Sequence, residues 1–216
     1  MLFDFGNTLF AHAPLASTIA ASARRLGVQI TDDDAAAMAH RIDAAAMTPE
    51  ELSLPRDLDE TVWKHRWRVL YGTADELGHG LGEAINTSMH AADEWLPYPL
   101  ADSTISALHE HGLGVGIVSN TGWDVRVVFA EHSMSVAVTS FMLSYEAGFV
   151  KPDPRIFEAA CESLGLAPAQ VVMVGDDPHA DSGAVRVGIR TLLLPVLPPG
   201  VDNGVGGVLR LAGVHD

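Results

Sequence analysis

The sequence predicts an α/β fold in which a parallel sheet flanked by helices carries an inserted all-helical cap. Three observations carry this. Short, wholly apolar runs such as "GVGIV" and "VVMVG" alternate with helical periodicity in the second half of the chain, and runs of that length suit strands buried on both faces of a parallel sheet. A similar apolar run, Met1, Leu2 and Phe3, opens the chain. Between the two lies a stretch over residues 14–95 with helical spacing and no strand signal. The first strand therefore belongs to the later sheet. The expected boundaries are residues 1–12 and 99–216 for the core and 13–98 for the cap.

In chain order, Leu15, Ile19 and Leu26 share one face of a first helix. Thr31 before Asp32, Asp33 and Asp34 reads as a helix N-cap with carboxylates near the positive end of the dipole, in preference to a metal site. "SLPRDLDE" is a loop that opens a helix at Asp57 or Asp59, on which Trp63, Trp67 and Leu70 repeat at i, i+4, i+7 as core residues. Gly72, Gly78, Gly80 and Gly82 break the helical texture. After "WLPYP", Ile105 and Leu108 mark a helix stopped by Gly112, and residues 115–118 form a strand ending in "SNTG". Residues 141–143 are the next strand. Asp153 caps a helix with Pro154 in its first turn, whose core face is Ile156, Phe157, Ala160, Cys161 and Leu164 before Gly165. Cys161 thus reads as packing, not as a nucleophile. Residues 171–174 lead into "GDDPHAD", and 191–194 form a last strand after Gly188.

Bulk properties bound the partners. The chain has 216 residues, 48% of them apolar, enough for one domain with a large insertion. A formal charge of −15, with Lys64 and Lys151 the only lysines, excludes nucleic acid, whose binding depends on cations neutralising phosphates; it is the ordinary charge of a soluble protein. Cys161 is the only cysteine, which excludes an intramolecular disulfide and fits a reducing compartment. No apolar run approaches the ~20 residues that span a bilayer, and the N-terminus has no basic region, with Asp4 interrupting its apolar run. The expectation is a cytoplasmic protein without a membrane partner. The first strand has almost no lead-in, which is compatible with a native start a few residues upstream of Met1.

Open parallel sheets bind ligands beyond the carboxyl ends of their strands. That rule selects Asp4, Ser119 with Asn120, and Asp176 with Asp177. Asp4 and Asp176 make a hard oxygen site suited to Mg2+. A Mg2+ bridging carboxylate and phosphate makes a repelled anion pair reactive, and Lys151 in "GFVKPDP" neutralises the equatorial oxygens. The Ser119 hydroxyl and the main-chain N–H groups of the following turn cradle the phosphate, and Asp4 attacks phosphorus to become an aspartyl-phosphate. Each residue alone has a plainer reading as a cap, a turn or an exposed lysine. Their occurrence in this order, each past a strand or beside a helix start, favours a site.

These motifs resemble those of haloacid dehalogenase-like hydrolases with a helical cap inserted after the first strand. "LFDFGNTLF" resembles the first motif, "GIVSN" the second, "KPDPRIF" the third and "VMVGDDPHAD" the fourth. The resemblance implies a Rossmann-like core, Asp4 as nucleophile, Ser119, Asn120 and Lys151 on the phosphate, and Mg2+ held by Asp4, the Gly6 carbonyl and Asp176, with Asp181 and Asp177 supporting. One position departs from the pattern: the phosphatases carry a second Asp two residues after the nucleophile as general acid and base, and here that residue is Gly6. Such assistance is worth ~10²–10⁴ in rate, about 3–5 kcal/mol of barrier, against enhancements of ~10⁶ or more. Catalysis is then weakened, not abolished. His12 ranks first as a replacement acid, ahead of His179 and Asp177.

The implied function is a Mg2+-dependent phosphatase for a small phosphorylated metabolite. The alternative is a catalytically weakened relative that binds a phosphorylated ligand or a protein. A 2-haloacid dehalogenase is disfavoured by the acidic loop "GDDPHAD", a phosphonatase by Lys64 being the only cap lysine, and a phosphomutase by the missing acid.

Overall fold

A computed structural model describes residues 1–214. β1 (Leu2–Phe3) leads through a turn into β2 (Phe10–His12), and five helices follow: α1 (Leu15–Leu26), α2 (Asp32–Ala46), α3 (Pro49–Leu52), α4 (Glu60–Gly72) and α5 (Leu81–Met89). After β3 (Trp95–Pro97) come α6 (Ala101–Glu110), β4 (Gly116–Ser119), α7 (Arg126–Glu131), β5 (Ser140–Leu143) and α8 (Ser144–Ala147). The chain then continues through α9 (Pro154–Leu164), β6 (Val172–Gly175), β7 (Arg190–Leu193) and α10 (Val208–Leu211).

The main sheet has the order β5-β4-β1-β6-β7 and every pair in it is parallel. β1 is central, and Leu2 and Phe3 are fully buried. From β1 the chain builds outward to β4 and β5, then crosses to the other side for β6 and β7. The reversal falls at β1, the position at which such sheets open a crevice for ligand. Two apolar layers cover the sheet, one containing Phe3, Ile117, Phe129 and Val174, the other Leu2, Val118, Phe157, Cys161 and Met173. Cys161 is buried in the second, as its place on α9 predicts.

The inserted helices have a core of their own, in which Ile19 and Ala23 meet Met38, Ile42, Leu70, Tyr71, Leu81 and Ile85. Local signals hold at their ends. Thr31 Oγ1 accepts from Asp34 N (3.1 Å) while the Asp34 carboxylate accepts from Thr31 N (2.9 Å), a reciprocal capping box. Asp59, and not Asp57, caps α4 by accepting from Val62 N at 2.9 Å. Asp153 caps α9, and Gly165 ends it with a φ of 67°. No helix among the described residues is long and apolar enough to cross a membrane.

Two expectations are corrected. Leu26 is 47% exposed, because α1 buries Thr18, Ile19, Ser22 and Ala23 instead, a narrow stripe of small and hydroxyl-bearing residues. The stretch read as helical up to residue 95 also meets a strand: β3 pairs antiparallel with β2, matching Phe10 to Pro97 and His12 to Trp95. That ribbon joins segments more than 80 residues apart, so local periodicity carries no trace of it.

Candidate active site

Asp4 is the first residue beyond β1, where its N–H extends the sheet by donating to Val174 O at 2.8 Å. Ser119 ends β4, and Asp176 follows β6 directly. The three lie side by side because β4 and β6 are the two neighbours of β1. Lys151 reaches them from the loop between α8 and α9. Asn120 fixes that loop: its Oδ1 accepts from Lys151 N (2.7 Å) and its Nδ2 donates to Lys151 O (2.9 Å). Expected to touch phosphate, Asn120 lines the cavity but directs its amide oxygen and one amide N–H at the main chain of Lys151.

Lys151 Nζ donates to Asp4 Oδ1 at 2.7 Å and to Asp181 Oδ1 at 2.6 Å, with its side chain only 3% exposed. Asp181 is fully buried, and its other oxygen accepts the N–H groups of Asp176 and Asp177, both at 3.0 Å. A Cβ on Gly175 would collide with the Asp181 carboxylate, so glycine is required for this close approach. Thr8, itself fully buried, donates to Asp176 Oδ1 at 3.1 Å. Asn7 turns the chain between Asp4 and Thr8 with a φ of 56°, a left-handed conformation that asparagine tolerates.

Oxygens of Asp4, Asp176 and Asp181 lie within 4.8 Å of one another, with one ammonium group among them. Burial is the main cause pushing Asp4 up to about 7; Lys151 resists, and repulsion from Asp181 and Asp176 adds to it. Burial also raises Asp176, opposed by the Thr8 hydrogen bond. For Lys151, burial favours the neutral amine, but Asp4 and Asp181 outweigh it and hold the ammonium above its ordinary range. This is a cluster short of positive charge. With both oxygens of Asp181 occupied, Asp4 and Asp176 are the carboxylates with coordination to offer, and the donor set is all oxygen, which suits a hard divalent cation.

These groups open onto a cavity of about 270 Å³, also bordered by Gly6, Asn7, Thr121 and the indoles of Trp63, Trp95 and Trp123. A Cβ on Gly6 would meet only Trp95 Cζ3, at 3.8 Å. A larger cleft of about 630 Å³ lies beside it and shares Trp123, but contains none of the clustered carboxylates. Lys64 lines that cleft, exposed and paired with Glu60 at 2.6 Å.

The candidate replacement acids fare differently. His12 is not brought to the cavity: its Nδ1 lies 2.9 Å from Ala13 O, its Nε2 3.4 Å from Ser88 O, and its ring meets Trp95 edge-on. In the β2–β3 ribbon it pairs opposite Trp95. His179 is exposed and off the cavity wall. Asp177 does border the cavity, but its Oδ1 accepts from His179 N (2.7 Å) and Ala180 N (3.1 Å) as the cap of its own turn. Sequence reasoning missed Thr8, although it stands in the "GNT" of the first motif. The three indole walls left no local signal, since they come from α4, β3 and the loop after β4.

Comparison with known proteins identifies the family. The model of the haloacid dehalogenase-like hydrolase family matches residues 1–188. Phosphoserine phosphatase of Thermus thermophilus is 32% identical over 97 residues, which span 44% of this chain and only 39% of that enzyme. Ribulose-1,5-bisphosphate 5-phosphatase of Halopiger xanaduensis is 27% identical over 204 residues, 89% of this chain and 83% of that one. A HAD phosphatase from Thermococcus onnurineus has the same fold, with a TM-score of 0.65 at 21% identity over 99% of this chain and 97% of its own. 2-Haloacid dehalogenases are similar to it as well, in sequence and in fold. A family model matched over residues 1–188, on a parallel sheet with Asp4, Ser119 and Asp176 at the ends of three neighbouring strands, makes this chain a hydrolase that belongs to the haloacid dehalogenase-like family.

Proposed function

We propose that the protein is a Mg2+-dependent phosphatase of a small phosphorylated metabolite, acting through an aspartyl-phosphate on Asp4. The observation that carries the reading is the clamp of Lys151 between Asp4 and Asp181 beside Asp176: a nucleophile with one cation at hand and a carboxylate-rich flank that calls for another. Asp4, Asp176 and the Gly6 carbonyl would hold Mg2+, which supplies charge neutralisation between the nucleophile and the phosphoryl oxygens. Asp4 attacks phosphorus in line with the departing oxygen. Lys151 stabilises charge on the equatorial oxygens, and the Ser119 hydroxyl donates to one of them. Asp181 holds the Lys151 ammonium and the acidic loop in place. Water then releases phosphate and restores the Asp4 carboxylate. Residues 13–98 act as a cap that excludes water, Trp63 and Trp95 being its contribution to the cavity wall, over a core of residues 1–12 and 99–216. The single, buried Cys161 suits a cytoplasmic setting.

The test is phosphate release from a panel of phosphorylated metabolites by the purified protein, with and without Mg2+, beside the Asp4→Asn variant. Mg2+-dependent release that Asp4→Asn abolishes in a folded protein supports the reading. Binding of phosphorylated compounds without turnover favours the weakened, ligand-binding alternative. Halide release from 2-haloalkanoates, independent of Mg2+, would replace both.

A further inference from the structure

We infer that the substrate is an aryl phosphate, whose leaving oxygen departs as a delocalised anion without receiving a proton; this rests on the phosphatase reading above. The inference comes from what the 270 Å³ cavity contains. Lys151 is held by two carboxylates, and Asp176 accepts from Thr8 and borders the cation position. Asp177 is exposed and its Oδ1 anchors its own turn. No histidine borders the cavity among the described residues, and Gly6 presents no side chain. A basic alkoxide therefore has no buried acid left to protonate it, whereas an aryloxide, a much weaker base, leaves unaided.

The walls favour the same class. Trp63, Trp95 and Trp123 line the cavity, and two of them spend their N–H groups on acceptors outside its lining, Trp63 on His90 Nε2 and Trp95 on Met89 O, both at 3.2 Å. What those two offer a ligand is ring surface, suited to a planar conjugated group. A cavity of about 150 Å³ already holds benzene, so there is room for a ring and a phosphoryl group. The balance of the first step is simple: an Asp4 oxygen forms the bond to phosphorus, the phosphorus–oxygen bond breaks, and the aryloxide carries away the electron pair. In the second step water attacks phosphorus and Asp4 leaves as a carboxylate, which also requires no proton; the proton of the water passes to solvent or phosphate.

The experiment measures kcat/KM in Mg2+ for 4-nitrophenyl, phenyl and 4-methoxyphenyl phosphates, glycerol phosphate and acetyl phosphate. Aryl phosphates should exceed glycerol phosphate by ~10²–10⁴, the usual worth of the missing acid. Trp63→Leu should lower the ratio of aryl to acetyl phosphate turnover about 2–10-fold through KM, the scale of one aromatic contact, while Trp63→Phe retains it. Acetyl phosphate has a good leaving group and no ring, so a purely structural defect would lower both equally. Aryl and alkyl substrates within tenfold of each other would overturn the inference and leave the phosphatase reading standing. A steep dependence with a ratio untouched by Trp63→Leu would overturn the assignment of the ring. Absence of turnover for every member would remove the phosphatase function and this inference with it.

Discussion

Replacing Lys151 with methionine, nearly the same volume without the charge, should destabilise the fold strongly and in a pH-dependent way. The side chain is 3% exposed and bridges Asp4 and Asp181, the latter at 0%. Removing one partner of a buried ion pair costs about 3–5 kcal/mol, because the remaining charge is left uncompensated. Asp181 keeps the N–H groups of Asp176 and Asp177 on one oxygen, but Asp4 loses the cation that resists its rise to about 7. The sign follows from linkage. A carboxyl raised in the fold contributes stability that is full below its unfolded value near 3.8 and is lost as pH rises through about 7. In Lys151→Met the folded value rises further, so the deficit relative to wild type widens above pH about 7, by up to about 1.4 kcal/mol per pH unit. Saturating Mg2+ should narrow it by restoring positive charge beside Asp4. The assay is urea unfolding followed by tryptophan fluorescence at about pH 6 and about pH 9, with Mg2+ or a chelator. A loss under about 1 kcal/mol that is equal at both pH values would refute the clamp as a source of stability.

Three further outcomes follow from the same geometry. Asp176→Ala should raise the Mg2+ concentration required for half-maximal activity on the order of 10-fold or more; an unchanged requirement places the cation elsewhere. Gly6→Asp should increase alkyl-phosphate turnover towards the ~10²–10⁴ that a general acid supplies, and its backbone permits the change, since a Cβ there meets only Trp95 Cζ3 at 3.8 Å. Equal alkyl rates in a folded Gly6→Asp protein would show that the proton comes from another source. Gly122→Ala should lower thermal stability by about 1–3 kcal/mol through overpacking, because its Cβ would overlap Trp63 and lie 2.8 Å from Arg56 O, both on the inserted segment. A melting temperature unchanged from wild type would mean that the contact between the loop after β4 and this segment is slack.

The alternation of helix with short apolar strand is legible because it rests on neighbours in sequence. The capping box at Thr31 and the Asp153–Pro154 start of α9 depend on residues at most three positions apart. Strand ends are local in the same sense, so Asp4, Ser119 and Asp176 stand out before any coordinates. One-residue shifts, such as β4 at Gly116–Ser119 instead of 115–118, left that selection unaffected. Leu26 failed because exposure at the last turn of α1 is set by what packs against the helix, not by its own spacing.

What the sequence by itself determined, then, was the five strands of the main sheet, the helices with clear caps or periodicity, the order of the candidate site residues and the absence of a side chain at Gly6. Only the tertiary structure decided which of these residues meet. Lys151 and Asp4 are 147 positions apart, and Asp176 and Thr8 are 168 apart; they touch because β1 lies between β4 and β6, an order fixed by packing two apolar faces of the sheet at once. The same long-range pairing of β2 with β3 sets His12 opposite Trp95 and brings Trp95 over Gly6. Local propensity cannot encode such choices, since sheet order and strand register are settled by burial summed over the whole chain.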